Sequence, residues 1–237
     1  MKPVIDIQNV SFSYNHSPAL EDISFMVEEE EFFGIIGPNA GGKSTLLKLI
    51  LGLYKPNSGT VKVFGNDPEK VRGRIGYVPQ HPGFKRDFPI NVNDVVLLGQ
   101  LGMTMSSKQS AIHFKSAMNA VSLDEIANRQ ISTLSGGQLQ RVIIGRALAC
   151  APEILILDEP TANIDIPTEE NIFGLLKKYN EQMTIIVVSH DIAFISGYVD
   201  RVACLNQRLV CHHTEDISGK TIEDLYGASM KMIDHHH

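Results

Sequence analysis

The stretch FFGIIGPNAGGKST, residues 32–45, decides how the rest of the chain reads. Phe32 to Ile36 is a short apolar run of the kind a strand shows when both of its faces are buried. Glycines at 37, 41 and 42 then allow a sharp turn in which backbone N–H groups converge on one point. Beyond Lys43 and Ser44, TLLKLILGL reads as an apolar helix, closed by Gly52 and the turn KPNSG. A strand, a glycine-rich loop carrying Gly-x-x-x-x-Gly-Lys-Ser, and a helix together form a phosphate cradle. The helix N-terminus adds its dipole, Lys43 is placed to reach terminal phosphates, and the Ser44 hydroxyl suits magnesium. A glycine-rich turn can be merely structural, but the Lys-Ser pair at this spacing argues against that.

Residues 37–45 (Gly37, Pro38, Asn39, Ala40, Gly41, Gly42, Lys43, Ser44 and Thr45) are therefore candidate binding residues for ATP, with Mg2+ as its companion. Two further apolar runs have the same character. ILIL precedes Asp158 and Glu159, and TIIVV precedes Ser189 and His190. In an open α/β sheet, ligands bind beyond the carboxyl ends of the strands. Lys43, the Asp158–Glu159 pair and His190 all follow such ends, which points to one shared site. Asp158 suits a magnesium ion held through water, and Glu159 can polarise an attacking water as general base. Alone, an acidic pair after a strand is more often a solvated strand end; beside a phosphate loop it predicts hydrolysis.

Composition narrows the class. The 237 residues carry a net charge of −6, which argues against a nucleic-acid partner. Cys150, Cys204 and Cys211 are odd in number and show no zinc-type spacing, fitting a reducing, cytosolic location. MKPVIDIQNV lacks the apolar core of a secretory leader, and no apolar run reaches the length of a spanning helix. Asp234 with His235, His236 and His237 reads as the remainder of a purification tag, or else as a native histidine tail; residues 228–237 are set aside as a tail.

The segments VIDIQNVSFSY and LEDISFMVEE alternate apolar and polar residues around the turn NHSP, predicting strands. Another strand is expected from Thr60 to Phe64. Residues 89–130 differ: Val92, Val95, Val96 and Leu98 have helical spacing, interrupted by LGMTMSSKQS. They read as a helical subdomain, about 88–146, inserted into one α/β domain spanning 1–227. A helix is expected after Pro167, with apolar Ile172, Leu175, Leu176 and Tyr179 spaced i, i+3, i+4, i+7.

LSGGQLQRV, residues 134–142, discriminates most sharply. Ser135 is a good N-cap, Gly136 and Gly137 expose backbone N–H groups, and an amphipathic helix follows. With the two preceding motifs, the chain resembles the ATP-binding subunits of ABC transporters, over residues 4 to 227. The fold class this implies is α/β: a P-loop NTPase core with a mostly parallel sheet, an N-terminal antiparallel β subdomain and an inserted α-helical subdomain. In that family an aromatic residue stacks on adenine, and Tyr14 matches it. Gln80 matches the glutamine that contacts magnesium and senses the membrane partner. Asp165 in ANID matches the family's second aspartate loop, and His190 its switch histidine. Read alone, Tyr14 and His190 would be ordinary strand and strand-end residues.

The resemblance implies an ATP-dependent homodimer packed head to tail, in which Ser135, Gly136, Gly137 and Gln138 of one copy close over ATP bound by the other. It also implies transmembrane permease subunits as partners, a substrate-binding protein acting indirectly, and a place on the cytoplasmic face of the membrane. Two departures stand out. The usual loop is GPNGAGKST, so Ala40 and Gly41 are swapped, which costs nothing only if residue 40 has negative φ. A glycine common before the first buried strand is replaced within Glu28, Glu29, Glu30 and Glu31.

The stretch HPGFKRDFPINVNDVVLLGQ resembles the DFPITVxDVVxMGR segment of zinc and manganese importer ATPases, as does the short end from Val210 through LYG. Metal-cation import is the expectation. A siderophore or haem importer and a soluble ATPase for iron–sulfur assembly are the alternatives. Cys211, His212 and His213 could sense metal, but an exposed turn is the simpler reading, since three adjacent residues on an extended segment cannot all face one ion.

Overall fold

The computed structural model describes residues 3–81, 88–161 and 164–213. In chain order the strands and helices are β1 (Pro3–Tyr14), β2 (Ser17–Glu28), β3 (Phe32–Ile36), α1 (Lys43–Ile50), β4 (Ser58–Val63) and β5 (Ile75–Val78). There follow α2 (Val92–Leu97), α3 (Ser107–Ala120), α4 (Gly136–Leu148), β6 (Ile154–Asp158) and α5 (Ile166–Asn180). β7 (Thr184–Ser189), α6 (Ile192–Ile195), β8 (Arg201–Asn206) and β9 (Arg208–His213) complete the described chain. The fold class is α/β, as the sequence predicts. The described residues divide into two units, one of residues 3–28, 32–69 and 188–213, the other of 29–31, 70–81, 88–161 and 164–187.

In the first unit, β1 pairs antiparallel with β2 and with β4, giving the sheet order β2-β1-β4. Asn15 and His16 both have positive φ (44° and 71°), which turns the chain from Tyr14 to its partner Ser17. Here too β3 runs parallel to β8, while β9 returns antiparallel along β8. Every residue of β3 is buried, as its apolar run predicts. Gly34 is tightly enclosed: a Cβ there would lie 3.3 Å from Ile195 Cδ1 and from Val202 Cγ2, so those side chains would have to give by a few tenths of an ångström.

β9 corrects the reading of residues 211–213 as an exposed turn. Gln207 takes φ 60° and reverses the chain, and Asn206 then pairs with Arg208. No glycine marks the reversal, which is why polar spacing alone suggests a turn. Cys211 stands opposite Ala203 and His212 opposite Val202, so strand alternation sends them to opposite faces.

The second unit carries β5 and β6 side by side and parallel. All five residues of β6 are buried, and Thr184 to Val188 of β7 are as well. Between β5 and β6 in the chain lie α2, α3 and α4. Val92, Val95 and Val96 are completely buried, and α4 buries Leu139, Val142, Ile143 and Ile144. The stretch read as an interruption, LGMTMSSKQS, in part begins α3: Ser106 Oγ accepts from the Gln109 backbone and Gln109 Oε1 accepts from the Ser106 backbone. On α5, Ile172 and Leu176 are buried as expected, together with Phe173, which the helical spacing had left out.

Glu30 adopts φ 61°, so within the acidic run a residue with a side chain holds a left-handed conformation. Its backbone N–H donates to Thr184 Oγ1 (2.9 Å) and its carbonyl accepts from Asn180 Nδ2 (2.8 Å). These two bonds use the buried Thr184 and Asn180 to hold the turn.

Candidate nucleotide site

In the first unit, β3 delivers the chain into the loop of residues 37–42, and α1 starts at Lys43. Gly37 has φ 154° and Gly42 φ 101°. A Cβ on Gly37 would fall 1.9 Å from the Leu205 carbonyl oxygen, and one on Gly42 2.6 Å from that of Ala19. Both glycines are thus required by close backbone approach. The loop is closed by Gly41 N–H donating to Pro38 O (3.1 Å) and by Gln207 N–H donating to Gly41 O (3.0 Å). Lys43 is buried and its ammonium donates to the carbonyls of Gly37 (2.7 Å) and Pro38 (3.0 Å). Ser44 is exposed at the first turn of α1, and Asn39 and Ala40 at the tip of the loop. Tyr14, 39% exposed, lies with its hydroxyl 3.3 Å from Thr45 Oγ1. His190 is exposed directly after β7, followed by Asp191, whose carboxylate accepts from Phe194 N–H (3.0 Å).

In the second unit, Asp158 closes β6 and is only 7% exposed. Tyr77 of β5 pairs with Ile156, two residues before Asp158 on the same strand face, and its hydroxyl donates to Asp158 Oδ2 (3.4 Å). Burial first, and the Asp158 charge second, push the Tyr77 hydroxyl up to about 12, so it stays a donor at neutral pH. Glu159 sits in the left-handed region at φ 47°, and its carboxylate accepts from Gln80 Nε2 at 2.5 Å. The structure thus brings together Gln80 and Glu159, which lie 79 residues apart.

Ser135 caps α4: its Oγ accepts from Gln138 N–H (3.3 Å), and Gln138 Oε1 accepts from Ser135 N–H (3.1 Å). The serine and glutamine of LSGGQ are therefore engaged with each other, and Gly136 presents open backbone with nothing within 4 Å of a Cβ. Gly137 differs. A Cβ there would lie 2.6 Å from Thr168 Cγ2. Thr168 is in the first turn of α5, and its N–H donates to Asp165 (3.0 Å), the N-cap of that helix. Hydrogen bonding from the Thr168 side chain first, and from its backbone N–H second, holds the Asp165 carboxyl below its usual range.

A strand–loop–helix phosphate cradle, an acidic pair ending a buried strand, and a capped LSGGQ helix are the parts of a nucleotide-driven cassette. The ABC transporter family model matches residues 20–162. The chain belongs to the ABC transporter family. As an ABC-type ATPase it binds nucleotide, and it is similar along nearly its whole length to proteins named for metal transport. The manganese transport system ATP-binding protein MntB of Bacillus subtilis is 40% identical, over 97% of this chain and 94% of that protein. The zinc uptake system ATP-binding protein ZurA of Listeria innocua is 40% identical, over 89% of this chain and 85% of that protein. Among solved structures, the dimeric structure of a bacterial ABC transporter cassette is 31% identical, covers 89% of this chain and 98% of its own, and superposes with a TM-score of 0.75.

Within this ABC ATPase, the swapped Ala40-Gly41 order has a definite cost. Ala40 takes φ 63°, so the alanine and not the glycine carries the left-handed conformation. Gly41 is needed where it stands, because a Cβ there would approach Leu205 O to 2.9 Å and Pro38 O to 3.0 Å. Sequence reasoning missed Tyr77 and Thr168. Tyr77 lies three residues before Gln80 in the quoted GYVPQ, and strand alternation could have placed it; nothing local to Gly137 announces Thr168. Among the described residues, no helix is long and apolar enough to cross a membrane, and no group of three metal-ligating side chains is assembled.

Proposed function

We propose that this ABC ATPase hydrolyses ATP with Mg2+ as a head-to-tail homodimer and energises import of a metal cation, zinc, manganese or iron, through separate membrane subunits. The observation that carries the substrate class is the near-full-length likeness to proteins named for manganese transport and zinc uptake. Phe88 before α2, Leu97 at its end, and Leu98 and Leu101 after it are exposed large apolar residues, which supports docking of permease subunits on this part of the chain. Such docking places the protein on the cytoplasmic face of the membrane, with the substrate-binding protein acting only through the permease.

Lys43, the backbone N–H groups of residues 37–45 and the α1 N-terminus are assigned to the phosphates, and Tyr14 to the adenine. Lys43 exchanges its two carbonyl partners for phosphate oxygens, so the ammonium is buried in both states. Ser44, Gln80 and Asp158 are assigned to the metal; a hydroxyl, an amide oxygen and a buried carboxylate are hard oxygen donors that fit magnesium. Magnesium held by these residues would offset the charge of the terminal phosphates. Glu159 accepts the proton of the attacking water, and Gln80, bonded to Glu159, orients that carboxylate. His190 is assigned to the terminal phosphate, while Ser135, Gly136, Gly137 and Gln138, with Asp165 nearby, are assigned to the partner copy's nucleotide.

Metal uptake tests the reading. Cells lacking this chain are expected to accumulate less radiolabelled zinc or manganese, with recovery by the wild type and none by Glu159→Gln. Unchanged uptake of both ions, together with lost uptake of a siderophore or haem, would overturn the substrate class.

A further inference from the structure

Phe12 and Tyr14 are two residues apart on β1 and so share a face of the strand. Tyr54 completes a three-ring cluster with them. Phe12 and Tyr54 stack at 5.5 Å with planes 12° apart, and Tyr14 stands nearly perpendicular to both, at 4.9 Å and 5.8 Å. Two of the rings are tied to the helix that follows the phosphate loop. The Tyr14 hydroxyl meets Thr45, and the Lys48 ammonium lies 5.5 Å over the Tyr54 ring. Thr45 and Lys48 are three residues apart on α1 and neighbours on its surface. The backbone holds Tyr54 in the same place: after Gly52 (φ 66°), the N–H groups of Leu53 and Tyr54 both donate to Lys48 O, at 2.8 and 3.3 Å.

We propose that Tyr54, braced by Phe12, is a positioning residue that fixes the Tyr14 ring for stacking on the purine of a bound nucleotide. The inference rests on the assignment of Tyr14 to adenine. A ring already fixed loses less rotamer freedom when the base arrives, so the brace adds to base binding and not to phosphate binding. Because Thr45 and Lys48 belong to the phosphate-loop helix, the same contacts set the distance between base platform and phosphate cradle. A cluster that served stability alone would not distinguish a ligand with a base from one without.

The test compares ADP with inorganic pyrophosphate by titration calorimetry in Mg2+, which avoids turnover. Tyr54→Ala is expected to weaken ADP by about 2- to 10-fold, the scale of one lost aromatic pair, while pyrophosphate binding is unchanged. Tyr54→Phe, which keeps the ring, is expected to bind ADP as the wild type does. Retained pyrophosphate binding also reports that the variant is folded. Equal weakening of both ligands by Tyr54→Ala, or no change in either, overturns the proposal. Tyr14→Ala separates the two levels. If it weakens ADP alone while Tyr54→Ala does nothing, only the positioning role falls. If Tyr14→Ala leaves the ADP-to-pyrophosphate ratio unchanged, the adenine assignment falls and the positioning role with it.

Discussion

Glu30 offers a clean measure of what a side chain in the left-handed region costs this chain. Its φ of 61° places a side chain in the left-handed region, yet both of its backbone hydrogen bonds, to Thr184 and from Asn180, involve no side-chain atom of Glu30 itself. Replacing Glu30 by glycine therefore changes backbone preference and charge, and leaves both of these bonds in place. Releasing an L-residue from this region returns about 1–2 kcal/mol, and the freer unfolded chain of glycine offsets about 0.4–1 kcal/mol of that. The net gain expected is about 0.5–1 kcal/mol, or about 1–4 °C in Tm for a chain of this size. Glu30→Ala is the control, because it removes the same charge from the run of four glutamates while keeping the unfavourable φ. The assay is thermal unfolding of both variants by circular dichroism in one buffer. Glu30→Gly should melt above Glu30→Ala. If it melts at the same temperature or lower, the turn does not carry the strain assigned to it.

Other outcomes follow from the site. Ala40→Gly should raise Tm by a similar amount, whereas Gly41→Ala should lower it and weaken ADP binding, since its Cβ meets two carbonyl oxygens. Gly137→Ala should reduce ATPase activity at least about tenfold, because overpacking against Thr168 displaces the start of α4. Thr168→Ser removes the offending methyl, keeps the N–H that bonds Asp165, and should restore most of that activity. Tyr77→Phe should raise the Mg2+ concentration needed for half-maximal ATPase. It should also change alkaline stability. The folded value of Tyr77, about 12, exceeds its unfolded value of 10.0, so its contribution is full below pH 10 and lost as pH rises to 12. Unfolding by denaturant across that window should show a smaller alkaline loss in Tyr77→Phe than in the wild type.

Much of the architecture was legible because its signals are local. FFGII, ILIL and TIIVV are buried strands since nothing polar interrupts them, and each leads directly to a chemically useful residue. The start of α3 went unread, because the glycine- and methionine-rich approach made LGMTMSSKQS look like an interruption and hid the S-x-x-Q spacing of Ser106 and Gln109. β9 was not legible: Gln207 makes the reversal without glycine, and Cys-His-His offers no apolar alternation. The Gln80–Glu159 bond and the approach of Thr168 to Gly137 join residues far apart in the chain, so no local pattern carries them. Ala40 lies between these cases. The swap with Gly41 was visible as a departure, but only the backbone φ decided whether it costs anything.

In the proposed dimer, one copy of this chain holds half of each ATP site and a second copy completes it. Sizing Glu159→Gln by light scattering, with and without ATP and Mg2+, tests it most directly. A monomer that becomes a dimer only when ATP is added, and does not do so when Ser135 is also changed to Arg, is the predicted result. A Glu159→Gln protein that stays monomeric in saturating ATP and Mg2+ would contradict it.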